Sequence, residues 1–167
     1  MGLFQSLFGG SKEEAPKGYQ IYAPVAGQAV AISEVSDPTF GEEILGKGIA
    51  IKPSEGKVFA PCDATVEVMF DTGHAVSLAS ADGVEVLIHV GLDTVTLKGE
   101  HFTTHAKSGD KVKKGQLLIE FDKDAIAAAG YDTITPVVIC NTDDYAAVTP
   151  KTGGTVSPGE VVLEITK

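Results

Sequence analysis

Short apolar runs, separated by breaks that carry glycine or proline, make up most of this chain. Gly27–Ile32, Gly48–Ile51, Thr65–Phe70, Leu117–Phe121, Val137–Cys140 and Val161–Ile165 are rich in Val, Ile and Ala, the composition and length of β-strands. Helical spacing is confined to Asp122–Ala129, with a turn near Asp143–Ala147. Many short strands with one or two very short helices predict an all-β fold, an antiparallel β-sandwich or barrel rather than βαβ units.

The pattern also repeats. Tyr22–Val30 echoes Phe59–Val66, and Lys107–Phe121 echoes Lys151–Ile165, with Gly109/Gly153, Val112/Val156, Gly115/Gly159 and Glu120/Glu164 matching at one constant offset. A duplicated, hybrid β-motif around one core is the expectation.

Residues 1–18 stand apart, which divides the chain into a flexible N-terminal tail (1–18) and one domain (19–167). Leu3, Phe4, Leu7 and Phe8 fall at helical spacing before Gly9-Gly10, and Ser11–Gly18 is a polar tether. The octet is a disordered tail or a weak contact for a membrane surface or partner, and it fits a Met-Gly-x-x-x-Ser acylation pattern.

Chemistry concentrates in one predicted hairpin. Its arms are Thr72–Leu78 and Val84–Gly91, joined across Asp82-Gly83, a strong turn signal. A two-residue loop puts Val76 opposite His89 and His74 diagonal to it. A four-residue loop puts His74 directly opposite. Both registers aim the rings of His74 and His89 from one face, whereas an odd-length loop or a bulge separates them. Two imidazoles on an apolar face are a metal-ligand pair or a nucleophile with its partner. Burial keeps such rings neutral at pH 7. Thr72 and Thr94 are hydroxyl candidates for orienting a ring nitrogen or binding an oxyanion, and Asp93 is the nearby acid. His101 and His105 read as surface residues, and no motif surrounds Cys62 or Cys140.

Composition narrows the classes. The 167 residues suffice for one domain, with 43% hydrophobic residues, 7% aromatics and no Trp, so the core is aliphatic. Thirteen Lys and Arg against 23 Asp and Glu leave a net charge of −10. This argues against nucleic acid; it either steers a basic partner or serves solubility. Two cysteines make a disulfide framework improbable. No apolar run reaches the ~20 residues of a membrane span, and no secretory pattern precedes the domain, so the expected compartment is cytoplasmic.

Four strings carry a family resemblance: Thr72-Gly73-His74-Ala75; Val90-Gly91-Leu92-Asp93-Thr94-Val95 with Leu97-Lys98-Gly99-Glu100; Gly48-Ile49-Ala50-Ile51-Lys52-Pro53; and Thr135-Pro136-Val137-Val138. From Tyr19 to Lys167 the chain resembles the glucose-type enzyme IIA domain of the bacterial phosphoenolpyruvate-dependent sugar phosphotransferase system. The resemblance implies a phosphocarrier. His89 accepts a phosphoryl group from phospho-HPr and passes it to a cysteine of the IIB domain of a sugar permease. His74 stabilises the phosphate or transition state, and Thr72 hydrogen-bonds a ring. Phe40, Ile44, Leu45, Phe70 and Val95 match the family's apolar docking ring, and Asp37 and Asp93 its acids for HPr. The resemblance also implies a monomer that needs no cofactor; free-standing relatives in some bacteria inhibit permeases and glycerol kinase when unphosphorylated, and nothing in this sequence decides whether this chain has such regulatory targets. Gly73 and Val76 depart from the family's common Asn and Phe.

Two other readings compete. A zinc hydrolase on a related duplicated β-fold would use His74 and His89 as ligands but requires a third; adventitious zinc at the pair is compatible with a phosphocarrier. A biotinyl- or lipoyl-type carrier would need a lysine at a hairpin tip, and the nearest string, Asp122-Lys123-Asp124-Ala125, opens the helical segment instead.

Overall fold

The computed structural model describes residues 18–167. The tail expected over residues 1–18 therefore lies, except for Gly18, outside the described residues. In chain order the strands are β1 (Gly18–Tyr22), β2 (Gly27–Ala31), β3 (Lys47–Pro53), β4 (Lys57–Phe59), β5 (Ala64–Met69), β6 (Ala75–Ser80), β7 (Glu85–His89), β8 (Phe102–Thr104), β9 (Lys111–Val112), β10 (Leu117–Phe121), β11 (Thr135–Ile139), β12 (Ala147–Pro150), β13 (Gly154–Val156) and β14 (Val161–Thr166). Among the described residues, two short α-helices, α1 (Pro38–Gly41) and α2 (Lys123–Ala128), and three single-turn 3-10 segments accompany the strands. The fold is the expected antiparallel all-β sandwich. An eight-stranded sheet, β13-β2-β3-β11-β7-β6-β5-β9, packs with two three-stranded sheets, β1-β14-β12 and β4-β10-β8.

The duplication is visible in strand register. At one edge of the large sheet Val156 pairs with Gly27; at the other, the equivalent Val112 pairs with Ala64. Val161 pairs with Tyr22, and Leu117 with Phe59. The halves clasp each other reciprocally: Tyr22 N–H donates to the Pro61 carbonyl at 2.9 Å, and Phe59 N–H to the Pro24 carbonyl at 2.7 Å. Two copies of one β-unit thus end both edges of the sheet in very short strands, which offer little edge for intermolecular pairing.

The main core lies between the sheets, with Leu78, Ile88, Leu118, Ile119, Ile139 and Leu163 fully buried. A second, smaller cluster covers the outer face of the large sheet, where Val30, Ala50 and Val138 meet Ile32, Val35, Phe40, Leu92 and Ile134. Strands β3 and β11 are consequently buried on both faces, which is why Ile49-Ala50-Ile51 and Val137-Val138-Ile139 are unbroken apolar runs. Asp37 caps α1 by accepting the Thr39 N–H at 3.0 Å, with Pro38 in the first turn, both favoured at a helix start; no helix was expected there. The helix expected over Asp122–Ala129 forms as α2, and Asp122 is its N-cap. Among the described residues, no helix is long and apolar enough to cross a membrane.

Candidate functional site

The central hairpin takes neither expected register. Ser80 N–H donates to the Val84 carbonyl and Gly83 N–H to the Ser80 carbonyl, with Gly83 at φ +91°. This is a three-residue loop with a left-handed glycine. Ala75, not His74 or Val76, lies opposite His89. Val90 N–H donates to the His74 carbonyl at 2.7 Å, so His74 faces Val90, whose side chain is in the core. Regular alternation would therefore send the His74 ring to the face opposite His89. It does not, because His74 precedes β6 and leaves a tight turn: Gly73 N–H donates to the Phe70 carbonyl at 2.8 Å, and Gly73 has φ +72°. The turn frees His74 from the strand's alternation. Its ring centroid lies 5.0 Å from that of His89, edge to face. The two rings do meet, as expected, but loop parity is not the cause.

Each ring is held by its Nδ1. His89 Nδ1 lies 2.7 Å from the Gly91 carbonyl oxygen. A carbonyl only accepts, so Nδ1 carries the proton and Nε2 keeps its lone pair. His74 Nδ1 shares a short hydrogen bond with Thr72 Oγ1, so Thr72 is placed to orient a ring. Thr94 is not: it is fully buried, and its hydroxyl donates to the Val90 carbonyl. Burial, and secondarily the neighbouring His89, push the His74 pKa down to about 4. The His89 pKa is also lowered. Burial outweighs three opposing influences, the Gly91 hydrogen bond and the Asp37 and Asp93 carboxylates. Both rings are neutral at pH 7.

Apolar side chains frame the pair. The Phe70 ring lies 5.4 Å from His74 and the Phe40 ring 5.0 Å from His89. Ile44, Leu45, Phe70 and Val95 are exposed, as a docking ring requires. Phe40 is not: it is buried in the second core cluster, because α1 turns it inward beneath His89. Its expected place in the docking ring is therefore corrected to a support for the histidine. Val68, which was not among the expected residues, is exposed as well. A bulge between Val66 and Val68 sets Val68 opposite Ser77, which itself pairs with Leu87, two residues from His89 on the same face. The alternation Val66-Glu67-Val68 hides this, since a bulge is not visible in periodicity. Asp93 is exposed, and Asp37 half-buried at the start of α1. His105 pairs with Glu120 at 2.7 Å on the surface, and both cysteines are free.

Residues 19–145 match the family model for the phosphoenolpyruvate-dependent sugar phosphotransferase system, EIIA 1. The chain belongs to this family. Among its relatives is the glucose-specific EIIA component of Haemophilus influenzae, 42% identical over the full length of both chains. The beta-glucoside-specific EIIBCA component of Dickeya chrysanthemi is 52% identical across 87% of this chain, which spans only 23% of that longer protein. The structure of glucose permease IIA from Mycoplasma capricolum superposes with a TM-score of 0.83 at 30% identity, covering 92% of this chain and 99% of that one.

The buried His74 of this EIIA domain carries a stability signature. The folded state holds His74 neutral down to about pH 4, whereas the unfolded chain protonates it near pH 6.5. Unfolding therefore takes up a proton between those values, and stability falls as pH drops through that window. We expect urea melts of His74→Gln to lose less stability than wild type between pH 6.5 and 4. Equal losses would show that His74 is not held neutral.

Proposed function

We propose that the domain is a cytoplasmic phosphocarrier in which His89 Nε2 takes a phosphoryl group from phospho-HPr and delivers it to the cysteine of a permease IIB domain. The observation that carries this reading is the hydrogen bond from His89 Nδ1–H to the Gly91 carbonyl. It leaves Nε2 as the free nucleophile, and both neighbouring carboxylates favour the charge that the ring acquires. When Nε2 attacks phosphorus, the donor's P–N bond breaks as a new one forms, and the His89 ring becomes cationic. The Gly91 bond then becomes charge-assisted and strengthens. In the onward step the cysteine thiolate attacks phosphorus, and His89 leaves as neutral imidazole with its Nδ1 proton still in place. The Thr72 hydroxyl, donating to His74 Nδ1, sets His74 Nε2–H to donate to the phosphoryl oxygens.

Fusion of EIIA to EIIB and EIIC parts in the beta-glucoside EIIBCA relatives supports a IIB partner. A beta-glucoside-type IIB is the acceptor to test first. No cofactor enters these steps. Among the described residues no group of three or more His, Cys, Asp or Glu gathers to hold a metal, so zinc would find two ligands here and would occupy the nitrogen that the transfer uses.

Incubation with phosphoenolpyruvate, enzyme I and HPr should add one acid-labile phosphoryl group, read by intact mass and mapped to His89. No label, or a label on a serine, would overturn the reading. The exposed apolar ring with Asp37 and Asp93 at its margin fits a basic partner. Asp93→Asn and Asp37→Asn remove charge while keeping a left-handed residue at 93 and a cap at 37. Both should slow labelling by HPr and flatten its decline with added salt. Unchanged rates and salt dependence would leave docking to the apolar ring alone.

A further inference from the structure

The ladder between β7 and β11 contains one exchange that bears directly on His89. Ile88 pairs with Val137 and Leu87 with Val138, and Cys140 N–H donates to the Glu85 carbonyl. Continued outward, this register makes Gly91 and Ile134 a hydrogen-bonded pair, in which each amide donates to the other's carbonyl. Half of that pair is present: Gly91 N–H donates to the Ile134 carbonyl at 3.1 Å. In place of the other half, Ile134 N–H donates to Asp132 Oδ1 at 2.9 Å. The Gly91 carbonyl, left out of the ladder, instead accepts the His89 Nδ1–H.

The surroundings fit this substitution. Leu92 N–H donates to the Asp132 carbonyl at 3.0 Å, one residue out of register, so the β11 side bulges at Asp132-Thr133. Gly91 has φ +77°, and a Cβ there would lie 2.6 Å from Thr94 Cγ2 and 2.9 Å from the Asp132 carbonyl oxygen. Only glycine fits at this position. Asp132 itself is exposed and reaches its own chain two residues on, an Asx turn.

We propose that Asp132 is a positioning residue for His89. By accepting the Ile134 amide, its carboxylate reserves the Gly91 carbonyl for Nδ1–H and so holds the ring in the tautomer with Nε2 free. Asp132 touches neither the phosphoryl group nor the ring. Its catalytic consequence rests on the phosphocarrier reading, but its effect on the tautomer does not.

The test is the tautomer of His89, read from long-range proton–nitrogen NMR spectra of the full chain at a pH where the ring is neutral. In wild type the Nδ1–H form should dominate. In Asp132→Ala the orphaned Ile134 amide competes for the Gly91 carbonyl, and the Nε2–H form should become populated. Asp132→Asn, whose side-chain carbonyl accepts the same amide, should restore the wild-type spectrum. Labelling by phospho-HPr should slow about fivefold in the alanine variant, the scale of one lost hydrogen bond, and recover in the asparagine variant. An alanine variant with the wild-type tautomer would overturn the proposal, as would an asparagine variant that shifts as alanine does, since charge and not the bond would then be the cause. A chain that shows the tautomer shift but takes no label from phospho-HPr in any form would uphold Asp132's role and sink the phosphocarrier reading instead. Amide spectra of both variants check that the exposed substitution leaves the fold intact.

Discussion

His89→Ala is expected to take up no phosphoryl group from phospho-HPr, at any incubation time that labels the wild type fully. The loss is total because the reacting nitrogen is gone and no neighbour replaces it. Among the described residues the imidazole against it is that of His74, but His74 is 4% exposed and its Nδ1 is tied to Thr72. The fold should survive, since His89 lies at the end of β7 and truncation opens space at a half-buried site. Intact mass together with a thermal melt checks both statements. An acid-labile label on the alanine variant would move the phosphoacceptor elsewhere.

The second large effect separates the two histidines. His74→Gln should still accept phosphate from HPr within a few-fold of the wild-type rate, yet transfer it to IIB about 10²–10³-fold more slowly, the cost of removing one donor aimed at developing charge. Acceptance keeps its nucleophile, its Gly91 bond and its apolar rim. Onward transfer asks the ring that was the nucleophile to become the leaving group, while the phosphoryl oxygens carry charge toward the thiolate. In the proposed mechanism the His74 Nε2–H is the donor supplied there from beside the ring. Single-turnover rates for each half-reaction make the comparison. Equal slowing of both halves, or of neither, would reduce His74 to a packing residue.

These expectations began with strings that can be read along the chain, and the fold was legible to much the same depth. Short Val- and Ile-rich runs between turn residues marked strands, and the constant offset between Lys107–Phe121 and Lys151–Ile165 marked the duplication that the register of β9, β10, β13 and β14 then displays. The short helix α1 was not expected, because four residues carry no periodicity. At the site, His74, His89 and Thr72 stood out by residue type. Thr94 looked equally available, and its hydroxyl is spent on the Val90 carbonyl. Phe40 looked like a surface aromatic and is buried. Asp132 carried no mark at all, since an exposed acid in a loop is the commonest of surface residues.

By itself the sequence determined which segments are strands, that a β-unit is duplicated, that the core is aliphatic, and that two histidines and a threonine flank one hairpin. Those are local properties, set by side-chain type and by turn chemistry within a few residues. Tertiary structure alone decided the odd loop that defines the hairpin register, the turn at Gly73 that swings His74 across to His89, the second core cluster that buries Phe40, and the exchange in which Asp132 frees the Gly91 carbonyl. Each depends on which distant backbone groups find one another once the sheets close. A single residue of register reverses every side chain on a strand, so no reading of the arms alone could place both rings on one face for the right reason.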